Sequence, residues 1–233
     1  MSREIYSSLS GAKAAWLQME SLANNLSNTN TAAFKEQRIT FKAAEIHPAP
    51  LGDSYVMADE VYYDMSDGPM RATGDQHHLA LQGPGFFMVQ GQDGVRLQRA
   101  GNFQRDNENM LVNQNGEFVL GDGGPIEIPD RQDFTVARDG TIRTTSGEEL
   151  GEIRMVEVDA VMPVGHAQWE AVQGTRKATD TEMIQGSLEG SNADPVRGMI
   201  ELVEASRYFE AYQKAIQTTD TLDGRTNEIM RSR

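Results

Sequence analysis

Ala23-Asn-Asn-Leu-Ser-Asn-Thr-Asn-Thr-Ala-Ala-Phe-Lys35 divides the chain. Upstream of it, apolar residues recur at helical spacing. Downstream, that spacing does not return until the C-terminal end. Ser27 to Thr31 is an unbroken run of residues whose short polar side chains compete for nearby backbone groups, so they favour caps and turns over helix interiors. The stretch therefore predicts the end of a helix, with Asn28 or Asn30 in a left-handed cap.

Before it, with Ser2 as N-cap, Ile5, Leu9, Ala12, Trp16, Met19, Ala23 and Leu26 follow at alternating spacings of four and three. This is the seam of a helix packed lengthwise on another. Arg3 to Leu26 would span about 36 Å at 1.5 Å per residue. Tyr6, Leu17 and Leu22 lie off that seam, and one partner helix would leave them uncovered. The C-terminal end supplies a second helix. Asp194 is a good N-cap and Pro195 suits the first helical position, where a missing N–H costs nothing. Leu202, Ala205, Phe209, Tyr212, Ile216 and Thr219 then repeat at three and four. The pattern loosens after Thr219, with Gly224 near the end.

Between the helices, 36–70 has no clear period and is broken by Pro48, Pro50, Gly52, Gly68 and Pro69. It reads as an extended connector with one short strand at Val61–Tyr63. From 71 onward the signals are β. Short apolar or alternating runs stand at Leu79–Leu81, Phe86–Val89, Val95–Leu97, Phe118–Leu120, Ile126–Ile128, Phe134–Val136 and Ile153–Val158. Turn signals separate them, among them Gln92-Asp-Gly94, Asn113-Gln-Asn-Gly116, Asp122-Gly-Gly124 and Asp139-Gly140. Strands so spaced predict an antiparallel β domain with Leu, Ile, Val and Phe inside.

Composition narrows the function. The formal charge of the 233 residues is −14, from 35 acidic and 21 basic side chains. A surface this acidic repels phosphate backbones and anionic lipid heads, so no nucleic-acid partner is expected. With no cysteine, thiolate metal sites, cysteine nucleophiles and disulfides are excluded together. The first residues lack the apolar core of a secretory signal, and no apolar run reaches membrane-spanning length. These signals point to a soluble, cytoplasmic chain unless another export route applies.

Chemical motifs fare poorly. Gly83-Pro-Gly85 opens no helix and is followed by no Gly-Lys-Ser/Thr, so it is a turn and not a phosphate loop. His77 and His78 stand beside Asp75. On a strand, adjacent side chains point to opposite faces, and both would not reach one ion without a bulge. No spacing sets a nucleophile beside its base. No catalytic residue, metal, cofactor or small-molecule substrate is expected.

Taken together, these residues resemble the bacterial flagellar basal-body rod and hook protein family. Asn24, Asn25, Leu26, Asn28 and Asn30, with Phe34-Lys35, are similar to its N-terminal signature. Gln185-Gly-Ser-Leu-Glu189, with Ser191, Asn192 and Pro195 and then Arg207-Tyr208, is similar to its C-terminal one. Gly68-Pro-Met-Arg-Ala-Thr-Gly74 and Gly83 to Phe87 look like its core β segments. Ala33 stands where the family usually has Gly, and His77-His78 replaces an apolar-then-acidic pair. The short length looks most like the proximal-rod subunit, with a distal-rod or hook-type subunit as the alternative.

The resemblance implies a non-enzymatic structural subunit, exported unfolded by the flagellar secretion system into a basal body that spans the periplasm. Its partners would be copies of itself, other axial proteins and the export apparatus. The expected architecture is α+β. Residues 1–35 form the N-terminal helix and signature turn, 36–70 a connector, 71–185 the β domain, and 186–233 a C-terminal helix pairing with the first in a coiled-coil-like inner domain. Ile5, Leu9, Trp16, Met19, Leu26, Leu202, Phe209, Tyr212 and Ile216 are the expected assembly interface. Two other classes stay open. One is a soluble β-domain binding module dimerised by its terminal helices; the other is an enzyme acting on cell-wall glycan.

Overall fold

In the computed structural model, which describes residues 3–45, 54–129, 133–165 and 167–231, the chain is α+β and separates into two compact units. One comprises 1–28, 36–64 and 193–233; the other comprises 29–35 and 65–192.

The first unit holds helix α1, Arg3–Ser27, and helix α2, Pro195–Arg231, which pack against each other. Ser2, the expected cap of α1, lies outside the described residues. α2 starts as its sequence requires. Asp194 Oδ1 accepts the N–H groups of Val196 (2.8 Å) and Arg197 (3.2 Å), two donors that the first helical turn leaves open. The expected connector is instead a two-stranded antiparallel ribbon, β1 (Gln37–Glu45) and β2 (Ser54–Tyr63), in register from Gln37 opposite Tyr63 to Glu45 opposite Ser54. A bulge between Thr40 and Phe41 shifts the pairing. Val56, Met57, Val61 and Tyr62 are all exposed, so neither face imposes the apolar alternation by which a strand is recognised.

In the second unit every strand pair is antiparallel. Strands β3 (Met70–Ala72), β4 (Leu79–Gln82), β5 (Phe86–Gly91) and β6 (Gly94–Gln98) lead the chain into it. β5 and β6 form a hairpin that continues through 118–121, 111–112 and 104–105 on one side and 168–171 and 161–165 on the other. A three-stranded sheet of 134–136, 141–144 and 149–152 stands apart, while 182–185 pairs with β4 and 187–189 with β3. The core is Leu79, Leu81, Phe87, Val89, Leu111, Val119, Ile142, Ile153 and Met183, each at most 2% exposed. Phe87 and Phe103 meet edge to face, 5.0 Å between centroids. Ile126–Ile128, expected as a strand, forms an isolated bridge between Glu127 and Met110, with the Ile126 N–H donating to the Val119 carbonyl (3.1 Å) and the Ile128 N–H to the Asn109 carbonyl (2.7 Å). Pro129, which follows, has no N–H to extend a ladder.

Candidate functional site

The N-terminal signature acts first as a turn. Asn28 closes α1, its backbone N–H and side-chain amide both reaching the Asn24 carbonyl (3.2 and 2.9 Å). Neither Asn28 nor Asn30 is left-handed. The left-handed residue is Ala33, at φ 53°, because the chain reverses there and not at the helix end.

Asn25 has a different task. Buried at 4% exposure, it grips the peptide of Gln37 at the start of β1: its Nδ2 donates to the Gln37 carbonyl (2.8 Å) and its Oδ1 accepts the Gln37 N–H (2.9 Å). Ser21, one turn earlier on the same face, donates to the same carbonyl at 3.1 Å. A strand would otherwise satisfy those two backbone groups with another strand; here a helix does so with side chains.

The helix faces are unequal. On α1 the buried positions are Gly11, Ala12, Ala15, Ser21, Leu22 and Asn25. On α2 Ala205 is buried, and Leu202, Phe209, Tyr212, Ile216 and Thr219 are half-buried between exposed neighbours. Small residues let the helices come close. The Tyr212 ring lies over Gly11, where an added Cβ would sit 2.5 Å from it. Leu22, expected to be uncovered, is 7% exposed, because β1 as well as α2 packs on α1. Leu9 (55%) and Trp16 (51%) are turned outward with Tyr6, while Met19 and Leu26 are half-buried. Ile5 belongs to α1, but its side chain lies outside the described residues. α2 also shows Val196, Ile200, Val203 and Tyr208 to the outside, and Arg207 is exposed beside Tyr208.

In the second unit the two signatures meet around buried charge. Lys35 and Glu189 form an ion pair at 2.8 Å, each side chain 1% exposed. The Lys35 ammonium also donates to the carbonyls of Ser66 (2.7 Å) and Met65 (3.3 Å), which matches its three donors with three acceptors. Glu189 Oε1 takes the Gly68 N–H as well (2.9 Å), and Oε2 takes Arg99 Nε (3.1 Å). Arg99, its side chain 3% exposed, donates further to Asp67 Oδ1 (2.7 Å), to the Gly85 carbonyl (2.6 Å) and to the Gly83 carbonyl. Two cations thus balance two anions. Burial holds the Lys35 ammonium below the usual lysine value, against the pull of Glu189. The backbone closes the same place: Ala33 N–H donates to the Glu189 carbonyl (2.9 Å), Asn192 N–H to the Phe34 carbonyl (3.2 Å), and Asn192 Nδ2 to the Ser66 carbonyl (3.1 Å). Gly68 has no room for a side chain, since a Cβ would lie 2.1 Å from the Gly190 carbonyl.

So Phe34, Ser191 and Asn192 come together in one unit, whereas Asn24, Asn25, Asn28, Pro195, Arg207 and Tyr208 belong to the other. Arg99 and Asp67 gave no signal in sequence, and Lys35 and Glu189 appeared there only as motif members without partners. His77 lies in a turn and His78 in a bridge to Asn102, with separate partners: His77 Nδ1 is 3.0 Å from Asp75 Oδ1 and His78 Nδ1 is 2.9 Å from Thr73 Oγ1.

Known flagellar proteins resemble this chain over nearly its whole length. The family described as flagellar basal body rod FlgEFG protein C-terminal matches residues 184–229, and flagellar hook protein FlgE/F/G D1 domain matches 80–144. The chain is 32% identical to the flagellar basal-body rod protein FlgF of Caulobacter vibrioides over 234 aligned positions, covering 95% of each. It is 30% identical to FlgG of Bacillus subtilis over 258 positions, covering 95% of this chain and 97% of that one. It is also 30% identical to FlgF of Salmonella typhimurium, covering 99% of both.

Proposed function

The chain belongs to the flagellar basal-body rod protein family, and from that membership we propose that it polymerises through its terminal helices into the proximal part of the rod. It is a structural subunit of the flagellar basal body, serving motility. Its partners are further copies of itself and other axial proteins, and it reaches them through the flagellar export apparatus. No catalytic role is assigned to it.

The observation that carries the assembly reading is apolar surface left open on both helices. Tyr6, Leu9 and Trp16 on α1, and Val196, Ile200, Val203 and Tyr208 on α2, are all exposed. Large apolar patches of this kind mark association surfaces. Each large side chain is worth roughly 1.5–3 kcal/mol when covered. In the assembled state the seam side chains, Ile5, Leu9, Trp16, Met19 and Leu26 with Leu202, Phe209, Tyr212 and Ile216, form coiled-coil-like contacts within and between subunits. The proximal position rests on the short chain, 233 residues with a small β domain, since distal-rod and hook-type subunits carry more inserted sequence.

Deletion of the gene tests the reading. Flagellum assembly should stop after the earliest basal body and resume when the intact gene is restored. Normal flagella in the deletion strain would refute it. The purified chain should form open-ended, concentration-dependent oligomers; an oligomer that stops at a dimer would favour a binding module.

A further inference from the structure

The Lys35–Glu189–Arg99–Asp67 cluster joins segments far apart in sequence. Lys35 ends one segment that contributes to its unit, Met65 to Gly68 begin the next, and Glu189 to Asn192 end it. Both carboxylate oxygens of Glu189 are engaged, Oε1 by Lys35 and the Gly68 N–H and Oε2 by Arg99. Lys35 has Glu189 as the anion that it touches, and Arg99 has Glu189 and the rim residue Asp67. If 187–192 leaves, two buried cations remain against one carboxylate, itself 41% exposed. If 29–35 leaves, Glu189 loses the cation at Oε1. Partial closure therefore strands charge away from water, which is far costlier than either complete state.

We infer that this cluster is a lock that makes docking of the N-terminal turn and of the C-terminal signature a single all-or-none event, so that neither segment is held without the other. The lock gathers 29–35, 65–68 and 187–192, the stretches by which the chain enters and leaves this unit. Ala33 and Leu188 are buried there too, but it is the buried charge that penalises half-closed states. Four backbone amides report on it: Ala33 to the Glu189 carbonyl, Gly68 to Glu189 Oε1, Gly190 to the Pro69 carbonyl, and Asn192 to the Phe34 carbonyl.

Native-state amide exchange of the full chain at rising, sub-denaturing urea tests this. The four amides should open with one shared free energy and one shared urea dependence, distinct from those of Val89 and Val119 in the core. In Lys35→Met all four should lose protection together, by tenfold or more, including Gly190 and Asn192, which Lys35 does not touch. Protection lost at Ala33 alone, with Gly190 and Asn192 unchanged, would overturn the lock. If Lys35→Met unfolds the whole chain, Asp67→Asn at the exposed rim gives the deciding result. A common, smaller loss at the four amides supports the lock; separate losses refute it.

Discussion

At the scale of residues, Asn25 shows how a polar side chain can specify a fold. Its carboxamide carries a donor and an acceptor side by side, matching the carbonyl and N–H of one residue in a strand. Asn25→Ala should remove the acceptor of the Gln37 N–H and leave the Gln37 carbonyl with Ser21 alone, at a cost of about 1–3 kcal/mol in urea unfolding. Asn25→Asp, which keeps the acceptor alone, should cost nearly as much; a neutral result for both would remove the clamp. Asn25 was visible in the sequence as part of a helix end, but its partner twelve residues on was not, because a side chain bonding to backbone leaves no trace in the partner's identity. Turn carboxylates are more legible. Asp139 accepts the Thr141 N–H (3.0 Å) and Asp75 the His77 N–H (2.9 Å), and those bonds hold both below the ordinary aspartate value of 3.8. A depressed folded value means that the stabilisation is complete above the unfolded value and is lost as pH falls through the folded one. Asp139→Asn should therefore narrow the difference in melting temperature between mildly acidic solution and pH about 3; an unchanged difference would contradict the assignment.

At the scale of elements, the two helices differ in how plainly their sequences speak. The repeat of α2 coincides with its least exposed face, from Leu202 to Thr219, because one stripe on that helix faces the rest of its unit. α1 carries apolar residues on two stripes, and periodicity favoured the one with larger side chains. The chain itself buries the other, through Gly11, Ala15 and Leu22, with Ala12 the one fully buried member of the seam, since small residues permit the closest approach. Leu22→Ala should accordingly cost the isolated chain about 2–5 kcal/mol in thermal or urea unfolding. Trp16→Ala should barely change unfolding of dilute chain, yet should suppress oligomers in sedimentation. A large destabilisation by Trp16→Ala at high dilution would return Trp16 to the monomer's own core.

At the scale of the molecule, the β unit was legible in outline because its core strands alternate or run apolar, as in Leu79–Leu81 and Phe86–Val89. Its margins were not. Thr141–Thr144 and Glu149–Glu152 are too polar to announce themselves, and the ends of the unit are set by Lys35, Asp67 and Glu189, whose meeting depends on the finished fold. A fragment of 71–185 omits both carboxylates that face Arg99, whereas 29–192 retains them together with Lys35. We expect 29–192 to melt cooperatively and several degrees above 71–185; equal melting temperatures would show that the charges contribute nothing to the unit. The helices have less to hold them. α1 buries mainly small side chains in its first half, so the turns that carry Tyr6, Leu9 and Trp16 should gain order when neighbouring subunits cover those residues, while Leu22 and Asn25 hold its second half in the free chain.

That dependence on neighbours is the centre of the account, and the absence of cysteine from the sequence makes it directly measurable. Leu9→Cys and Ile200→Cys, each introduced singly, would be treated with a maleimide in purified intact basal bodies and again in dissociated chain. The account predicts full labelling of the dissociated chain and strong protection in the assembled rod. Equal and rapid labelling of both positions in intact, correctly assembled basal bodies would contradict it, because the outward faces of the helices would then not be where subunits meet.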